Sequence, residues 1–276
     1  MSLKLQIRLI FIYTFMTHTV FLLPVIMPFY QDYIGLGFRE LMIGEAVFAA
    51  VIITMEVPSG WLSDIWSRRK TLIVGCGFAA AGYAIIMTAS GFWQAVLGQA
   101  VIGIGVACNS GTVTSLLYDT LATKGKEHLY QRLEGKRHAM GLYAVATASV
   151  IGGILYQFDG RLPITLDILT LLLAMGCATF LIEPERIKRA AEKTPLHDMI
   201  TTMKYALHGH KEIAGIIMVS TILFCSTKMF MWRNNLICNM LAYRPIFLDI
   251  SWPQGSYLAG LLGILAIKFA TTYPTV

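Results

Sequence analysis

The sequence predicts an all-α fold, a polytopic membrane helix bundle, and three observations support this class. Of the 276 residues, 56% are hydrophobic and only 14% are charged, whereas soluble domains carry about 25% charged residues. The apolar residues form long runs, each close to the roughly 20 residues that cross the hydrocarbon core of a bilayer. The positive charges fall between alternate runs, as expected for loops on one side of a membrane.

Eight apolar runs are predicted to be membrane spans. They cover roughly 8–30, 40–62, 71–90, 94–118, 138–158, 162–182, 213–232 and 255–271. The first six form one bundle over residues 1–182. A polar stretch over 183–212 is predicted to be a cytoplasmic connector, with a short amphipathic helix after Pro195. Residues 213–276 hold the last two runs, so the sequence predicts an incomplete second half.

The distribution of lysine and arginine predicts the orientation of the chain. The flanks on one side of the runs hold sixteen lysines and arginines, whereas the flanks on the other side of the first six runs carry only Arg39 and Arg161. Cytoplasmic loops are enriched in cations, so the N-terminus is predicted to be cytoplasmic, in a bacterial cytoplasmic (inner) membrane. The net charge of +6 is attributed to topology beside anionic lipid, and no nucleic-acid partner is predicted. The sixteen cations of the predicted cytoplasmic flanks are Lys4, Arg8, Arg68, Arg69, Lys70, Lys124, Lys126, Arg132, Lys136, Arg137, Arg186, Lys188, Arg189, Lys193, Lys204 and Lys211.

The residues that carry enzyme or metal chemistry do not form a familiar pattern. The cysteines lack metal-ligand spacing and are interpreted as small packing residues, so neither a disulfide, a metal site nor a cofactor is predicted. The sequence has no nucleophile elbow, zinc-protease motif or phosphate-binding loop, so it does not predict an enzyme. The five cysteines are Cys76, Cys108, Cys177, Cys225 and Cys238.

The stretch GWLSDIWSRRK at 60–70 lies between the second and third runs and follows a known loop pattern. On this pattern and its position, the chain resembles the major facilitator superfamily over about residues 1–230. Ile65 stands where the family usually has a cation, and Ser67 stands where it has a second glycine. The matching residues are Gly60, Asp64, Arg68, Arg69 and Lys70.

The resemblance implies that this loop is a conformational latch, which holds two helix bundles together in the outward-open state. Gly60 would let two helices approach closely, and Asp64 would accept backbone N–H groups at a helix start. Arg68 and Arg69 suit a two-pronged bond to a carboxylate. A solvated, positively charged loop with a helix cap is the alternative interpretation.

Six polar residues within the apolar runs are candidates for a cavity or for proton coupling. A charge inside the bilayer costs roughly 2.5–3.5 kcal/mol on insertion scales, so each such residue is a site hypothesis. Glu56 is expected to pair with Arg68 or Arg69, or to carry a proton. The candidates are Tyr13, His18, Glu56, Gln99, Asn109 and Asp119.

The other candidates leave alternatives open. Asp119 is expected to form an ion pair with the neighbouring Lys124 or Lys126. Spans one and four line the cavity in this family, which implies cavity positions for His18 and Asn109. His18 is either such a residue, accepting a proton near neutral pH, or a histidine bonded to a neighbouring helix. The glycines of the fourth span are interpreted as sites of close helix packing; these are Gly98, Gly103, Gly105 and Gly111.

The resemblance implies a secondary active transporter of a small-molecule substrate that works by alternating access. An efflux-type carrier is one form, because SGTVTSLLYDTL and FLIEPER resemble drug-efflux-like members. Proton coupling is open: Gln99 replaces the arginine of a proton-coupled motif, and ASVIGG lacks the Gly-Pro of drug–proton antiporters. The alternative is a non-transporting truncated remnant, or a half-transporter that needs a partner, and a polytopic membrane enzyme is less favoured.

Overall fold

The computed structural model describes residues 2–183, and every regular element in this part of the chain is a helix. By length and composition, five spans within it can cross a membrane, and the bent helix α3 makes six. The predicted all-α, polytopic bundle is confirmed. The helices are α1 (Leu3–His18), α2 (Ile26–Phe29), α3 (Phe38–Ile65), α4 (Arg68–Met87), α5 (Phe92–Ala122), α6 (Tyr130–Tyr156) and α7 (Leu162–Thr179).

Several predictions lie outside the described residues. They are the spans over 213–232 and 255–271, the amphipathic helix after Pro195, and the packing roles of Cys225 and Cys238.

Helix α6 extends beyond the span predicted over 138–158. α6 begins at Tyr130, so the flank cations Arg132, Lys136 and Arg137 lie in its first turns. The i,i+3 pair of Glu134 and Arg137 favours this early start, because side chains at that spacing share one helix face.

The first span is broken instead of continuous. α1 ends at His18, and a 3-10 turn at Leu23–Val25 leads into α2 and a π-helical turn at Tyr30–Ile34. Pro24 has no N–H and cannot continue the hydrogen bonds of α1. The buried Asp167 of α7 accepts the two amides exposed by the break, from Phe21 N at 2.7 Å and Leu22 N at 3.0 Å. This carboxylate therefore supplies acceptors that the helix itself lacks.

Helices α4 and α5 approach each other through small residues. A Cβ added at Gly105 would lie 2.6 Å from both the backbone nitrogen of Ala79 and the oxygen of Gly75. A Cβ at Gly98 would meet the Ile86 side chain. The prediction of close packing fails only at Gly111, where no described atom lies within 4 Å. α5 also packs against α3, α7 packs against α4 and α1, and α6 packs against α1.

The lysine- and arginine-bearing helix ends lie together, and we call this side the cationic end. It contains the α3–α4 loop, the α5–α6 connection and the start of α1. There Gln6 Nε2 donates to the carbonyl of Ile182 at 2.7 Å, joining α1 to the residues after α7. At the opposite end, Tyr156 OH donates to Asp32 Oδ2 at 2.9 Å. An apolar core where α1, α4, α5 and α7 meet lies nearer the cationic end.

Candidate functional site

The α3–α4 loop forms an ion-pair cluster centred on Arg68, at the cationic end. Arg68 Nη1 lies 2.8 Å from Asp119 Oδ2 on α5, and Nη2 lies 3.6 Å from Asp64 Oδ1 on α3. The Arg68 side chain is 13% exposed and that of Asp119 is 25% exposed, whereas that of Asp64 is 71% exposed. The guanidinium therefore joins α3, α4 and α5. The expected partner of Asp119 is wrong: the carboxylate faces Arg68 of α4, while Lys124 and Lys126 are exposed.

The start of α4 is capped by residues that the sequence prediction did not choose. Ser67 is the N-cap, and its Oγ accepts from Lys70 N at 3.3 Å. Glu183, just after α7, accepts from Arg68 N at 3.0 Å and from the Ser67 hydroxyl. Ser67 and Glu183 therefore cap the start of α4, while Asp64 lies in the last turn of α3. A carboxylate at a helix start also faces the positive end of the helix dipole.

Two further expectations about this region are not met. An added Cβ at Gly60 would have no described atom within 4 Å, so Gly60 does not mark a close helix contact in this part of the chain. The contact between α3 and α5 is made by Ser59, whose Oγ donates to the Ala107 carbonyl at 3.0 Å. Glu56 is exposed, and Arg68 pairs with Asp64 and Asp119 instead.

The two remaining loop cations face outward. Arg69 is exposed. Lys70 is exposed too, and its Nζ lies 5.4 Å from the centre of the Trp66 ring, within range of a cation–π contact. Neither replaces Arg68 as the centre of the ion-pair cluster.

Tyr13 and Asn109, both candidates from the sequence, are brought together between α1 and α5. Tyr13 OH donates to Asn109 Oδ1 at 2.5 Å and lies 3.1 Å from Cys76 Sγ on α4. Tyr13 is fully buried, while Asn109 is half-buried. Tyr13 therefore joins three helices within the core and does not line an open cavity in the described part.

His18 stands at the last residue of α1, with an exposed side chain. Its Nδ1 lies 2.9 Å from the carbonyl oxygen of Thr14, so its hydrogen bond is to its own helix. The ring packs against Gly141 of α6, where an added Cβ would lie 2.8 Å from His18 Cδ2. Within residues 2–183 the structure therefore does not show the alternative, a hydrogen bond from His18 to a neighbouring helix. The ring faces α6.

Gln99 belongs to a separate polar cluster in the half of the bundle away from the cationic end. Its Nε2 donates to Glu45 Oε1 at 3.2 Å and to Tyr30 OH at 3.4 Å. The cluster joins α3 and α5 to the broken first span. Gln99 is buried. Its neutral amide donates a hydrogen bond to the Glu45 carboxylate, with which an arginine at this position would form an ion pair.

A second charged cluster was missed by the sequence prediction. On α6, Arg137 Nε donates to Glu134 Oε2 at 2.8 Å, and Nη2 contacts Glu134 Oε1. Arg137 Nη2 also donates to Thr114 Oγ1 of α5 at 3.3 Å. Both charged side chains are largely enclosed, 7% exposed for Arg137 and 15% for Glu134. The i,i+3 spacing in the sequence was the available signal.

Comparison with known proteins gives a family match over most of the chain. The family model of the Major Facilitator Superfamily matches residues 9–273. An uncharacterized transporter of Buchnera aphidicola subsp. Schizaphis graminum (strain Sg) is 28% identical over 127 residues, which make up 45% of this chain and 32% of that protein. The chain therefore matches about a third of the length of that relative.

Two solved structures share the fold. A mutant of the nucleoside transporter NupG aligns with a TM-score of 0.72 and 15% identity, covering 98% of this chain and 67% of its own. Tetrameric PepTSo2 aligns with a TM-score of 0.55 and 13% identity, covering 84% of this chain and 54% of its own. At such low identity the likeness concerns the fold alone.

Proposed function

The chain belongs to the Major Facilitator Superfamily, and from this premise we propose that it is a secondary active transporter of a small solute that works by alternating access. Its family makes it a membrane transporter and not an enzyme. In the proposed cycle, helix bundles rock about a substrate site near the middle of the membrane. Residues 1–182 form one bundle in this proposal, and the connector over 183–212 links it to the chain that follows.

The ion-pair cluster of Arg68 carries the proposal. A latch must be strong enough to favour one state and weak enough to open during each cycle. The exposed contact with Asp64 contributes about 0.2–1 kcal/mol. The contact with Asp119 is closer, at 2.8 Å, and less exposed, so it is the stronger of the two ion pairs. Both contacts join helices of the one bundle over 1–182, so in this proposal they hold the α3–α4 loop in the shape in which it acts as a latch.

The orientation and coupling are parts of the same proposal. The cationic end faces the cytoplasm of a bacterial cell, where lysine and arginine meet the anionic inner leaflet. The Arg68 cluster then closes the cytoplasmic side in the outward-open state. A proton is the coupling ion that we propose, because the described spans hold ionisable side chains.

Cysteine labelling tests alternating access without knowledge of the substrate. Ser110 is exposed on α5, beside the polar Asn109. In a background with all native cysteines replaced by alanine, Ser110→Cys is expected to react with an impermeant maleimide from either side of oriented vesicles. The matched control is Leu172→Cys on the exposed apolar face of α7, which faces lipid and should react from neither side.

The labelling result separates the proposal from its alternative. Reaction of Ser110→Cys from both sides supports alternating access by this chain. Reaction from one side only, in a preparation with an intact melting transition, would refute it. That outcome favours a non-transporting chain or a half-transporter that needs a partner.

The two acidic partners of Arg68 should differ in effect when they are neutralised. In the Ser110→Cys background, Asp119→Asn is expected to raise the ratio of cytoplasmic to external labelling rates by about tenfold, corresponding to about 1.4 kcal/mol. Asp64→Asn should raise the ratio by about two- to fivefold, because its contact is longer and more exposed. Lys124→Gln, an exposed change at the same end, is the control. Equal labelling ratios in all four proteins would contradict the latch.

A further inference from the structure

The cluster of Glu134 and Arg137 has the geometry of an ion-binding site. Two atoms of the guanidinium, Nε and Nη2, are held by the two carboxylate oxygens of Glu134. This is the arrangement by which arginine binds carboxylate, phosphate and sulfonate groups in general. Thr114 Oγ1 adds a hydroxyl from α5, which donates to Glu134 Oε1 at 3.3 Å.

A purely structural role accounts poorly for these charges. Glu134 and Arg137 belong to the same helix, so their ion pair does not join two helices. Only the Thr114 contacts reach α5, and they do not require a full charge on α6. Two charges within a span are costly, and an enclosed ion pair is weak evidence for stability, because apolar residues of similar size often stabilise as well. Such residues are by default a functional hypothesis.

We propose that Arg137 binds the anionic group of the transported solute, and that Glu134 occupies this position until it takes up a proton. The solute is then a small molecule with a carboxylate, phosphate or sulfonate group. When Glu134 is ionised, its oxygens occupy Nε and Nη2 of Arg137. Hydronium transfers a proton to Glu134, breaking its own O–H bond and leaving water. The charge of Glu134 is lost, and oxygens of the solute replace its carboxylate on the guanidinium. The proton and the anion therefore bind together.

Few titratable groups surround Glu134 among the described residues. His138 Nε2, on the next turn of α6, lies 3.5 Å from Glu134 Oε1 and is 70% exposed. Tyr130 lies one turn earlier on the same helix, within electrostatic range. From α1, His18 faces Arg137 and His138 within electrostatic range. α5 contributes the neutral hydroxyl of Thr114. His138 is therefore the second group whose protonation would alter the charge of the site.

Anion binding can be measured on the whole chain in phosphatidylcholine nanodiscs. The probes are benzoate and methanesulfonate, which stay ionised between about pH 5.5 and about pH 7.5, and choline is the cationic control. The dissociation constant follows from the increase of melting temperature with probe concentration. Because one proton is taken up with each anion, we expect binding at least about tenfold tighter at the lower pH. Choline should give no stabilisation.

Variants assign the two roles. Glu134→Gln mimics the protonated carboxyl, so it should bind the probes tightly at both pH values, with less than about a twofold difference. Arg137→Gln should weaken binding by at least about tenfold at both. Exposed neighbours supply the matched controls Glu127→Gln and Lys136→Gln, which should bind as the parent does. If Arg137→Gln does not fold, Arg137→Lys gives the same test, because lysine keeps the charge and loses the two-pronged bond.

Three results would overturn the inference. The first is that anions do not stabilise the parent chain. The second is that the Arg137 variants bind the probes as tightly as the parent does. The third is a pH dependence of binding that disappears in His138→Gln but persists in Glu134→Gln. Competition by added phosphatidylglycerol would assign the site to a lipid headgroup, which also overturns a solute site.

The inference rests on the proposed function, but the two can fail separately. Two-sided labelling of Ser110→Cys without anion binding would leave the transporter and remove this site. Anion binding at Arg137 with one-sided labelling would leave a binding site in a chain that does not transport.

Discussion

Replacing Gly105 with valine is expected to lower the free energy of unfolding by about 3 kcal/mol, at the upper end of the usual cost of overpacking. The first added carbon would already lie 2.6 Å from backbone atoms of Gly75 and Ala79. Backbone cannot rotate aside as a side chain can, so α4 and α5 must separate. Separation removes dispersion contacts along the whole interface, and these drive helix association in lipid, where the hydrophobic effect is absent.

Unfolding in a denaturing detergent, followed by tryptophan fluorescence, measures this loss. Gly111→Val is the matched control, because Gly111 lies on the same helix and an added Cβ there meets no described atom within 4 Å. The control also cancels the change in helix propensity between glycine and valine, which is small. Equal destabilisation by the two substitutions would show that the α4–α5 interface is less tightly packed than the structure indicates.

Replacing Asp167 with alanine is expected to have an effect of similar size, about 2–6 kcal/mol, because two buried N–H groups lose their acceptor and each costs about 1–3 kcal/mol. These are the amides of Phe21 and Leu22, at the break of the first span. Water is not available inside the bilayer to replace the carboxylate. The segment after α1 should therefore loosen locally before the bundle unfolds.

Hydrogen exchange at the amides of Phe21 and Leu22, together with the melting temperature, measures this effect. Asp167→Asn retains one accepting oxygen and should give an intermediate result. Asp159→Ala is the control, since Asp159 is exposed and its Oδ1 accepts only a local amide, from Arg161 at 2.8 Å. If exchange at the two amides is unchanged in Asp167→Ala, the carboxylate does not support the break.

The spans were predictable because a bilayer permits little else. Backbone groups in lipid must be satisfied within the segment, so a long apolar run is almost always a helix. The break in the first span was harder to predict. Pro24 was visible in the sequence, but the acceptor that stabilises the break is Asp167, about 146 positions away. A partner so distant leaves no local pattern.

The site was predictable in its residues more than in its contacts. Tyr13 and Asn109 were both chosen, and they share a hydrogen bond. For Asp119 the nearest lysines in the sequence were preferred, whereas the fold supplies Arg68 of another helix. Arg137 was counted among the flank cations because a charge count treats every arginine alike. Its spacing from Glu134 held the missing information.

Glu183 binds at the start of α4, and this contact constrains the chain that leaves α7. The carboxylate accepts hydrogen bonds from both the Arg68 amide and the Ser67 hydroxyl. The short segment after α7 is therefore fixed against α4. The last described residue is thus fixed to the start of α4, next to the guanidinium of Arg68.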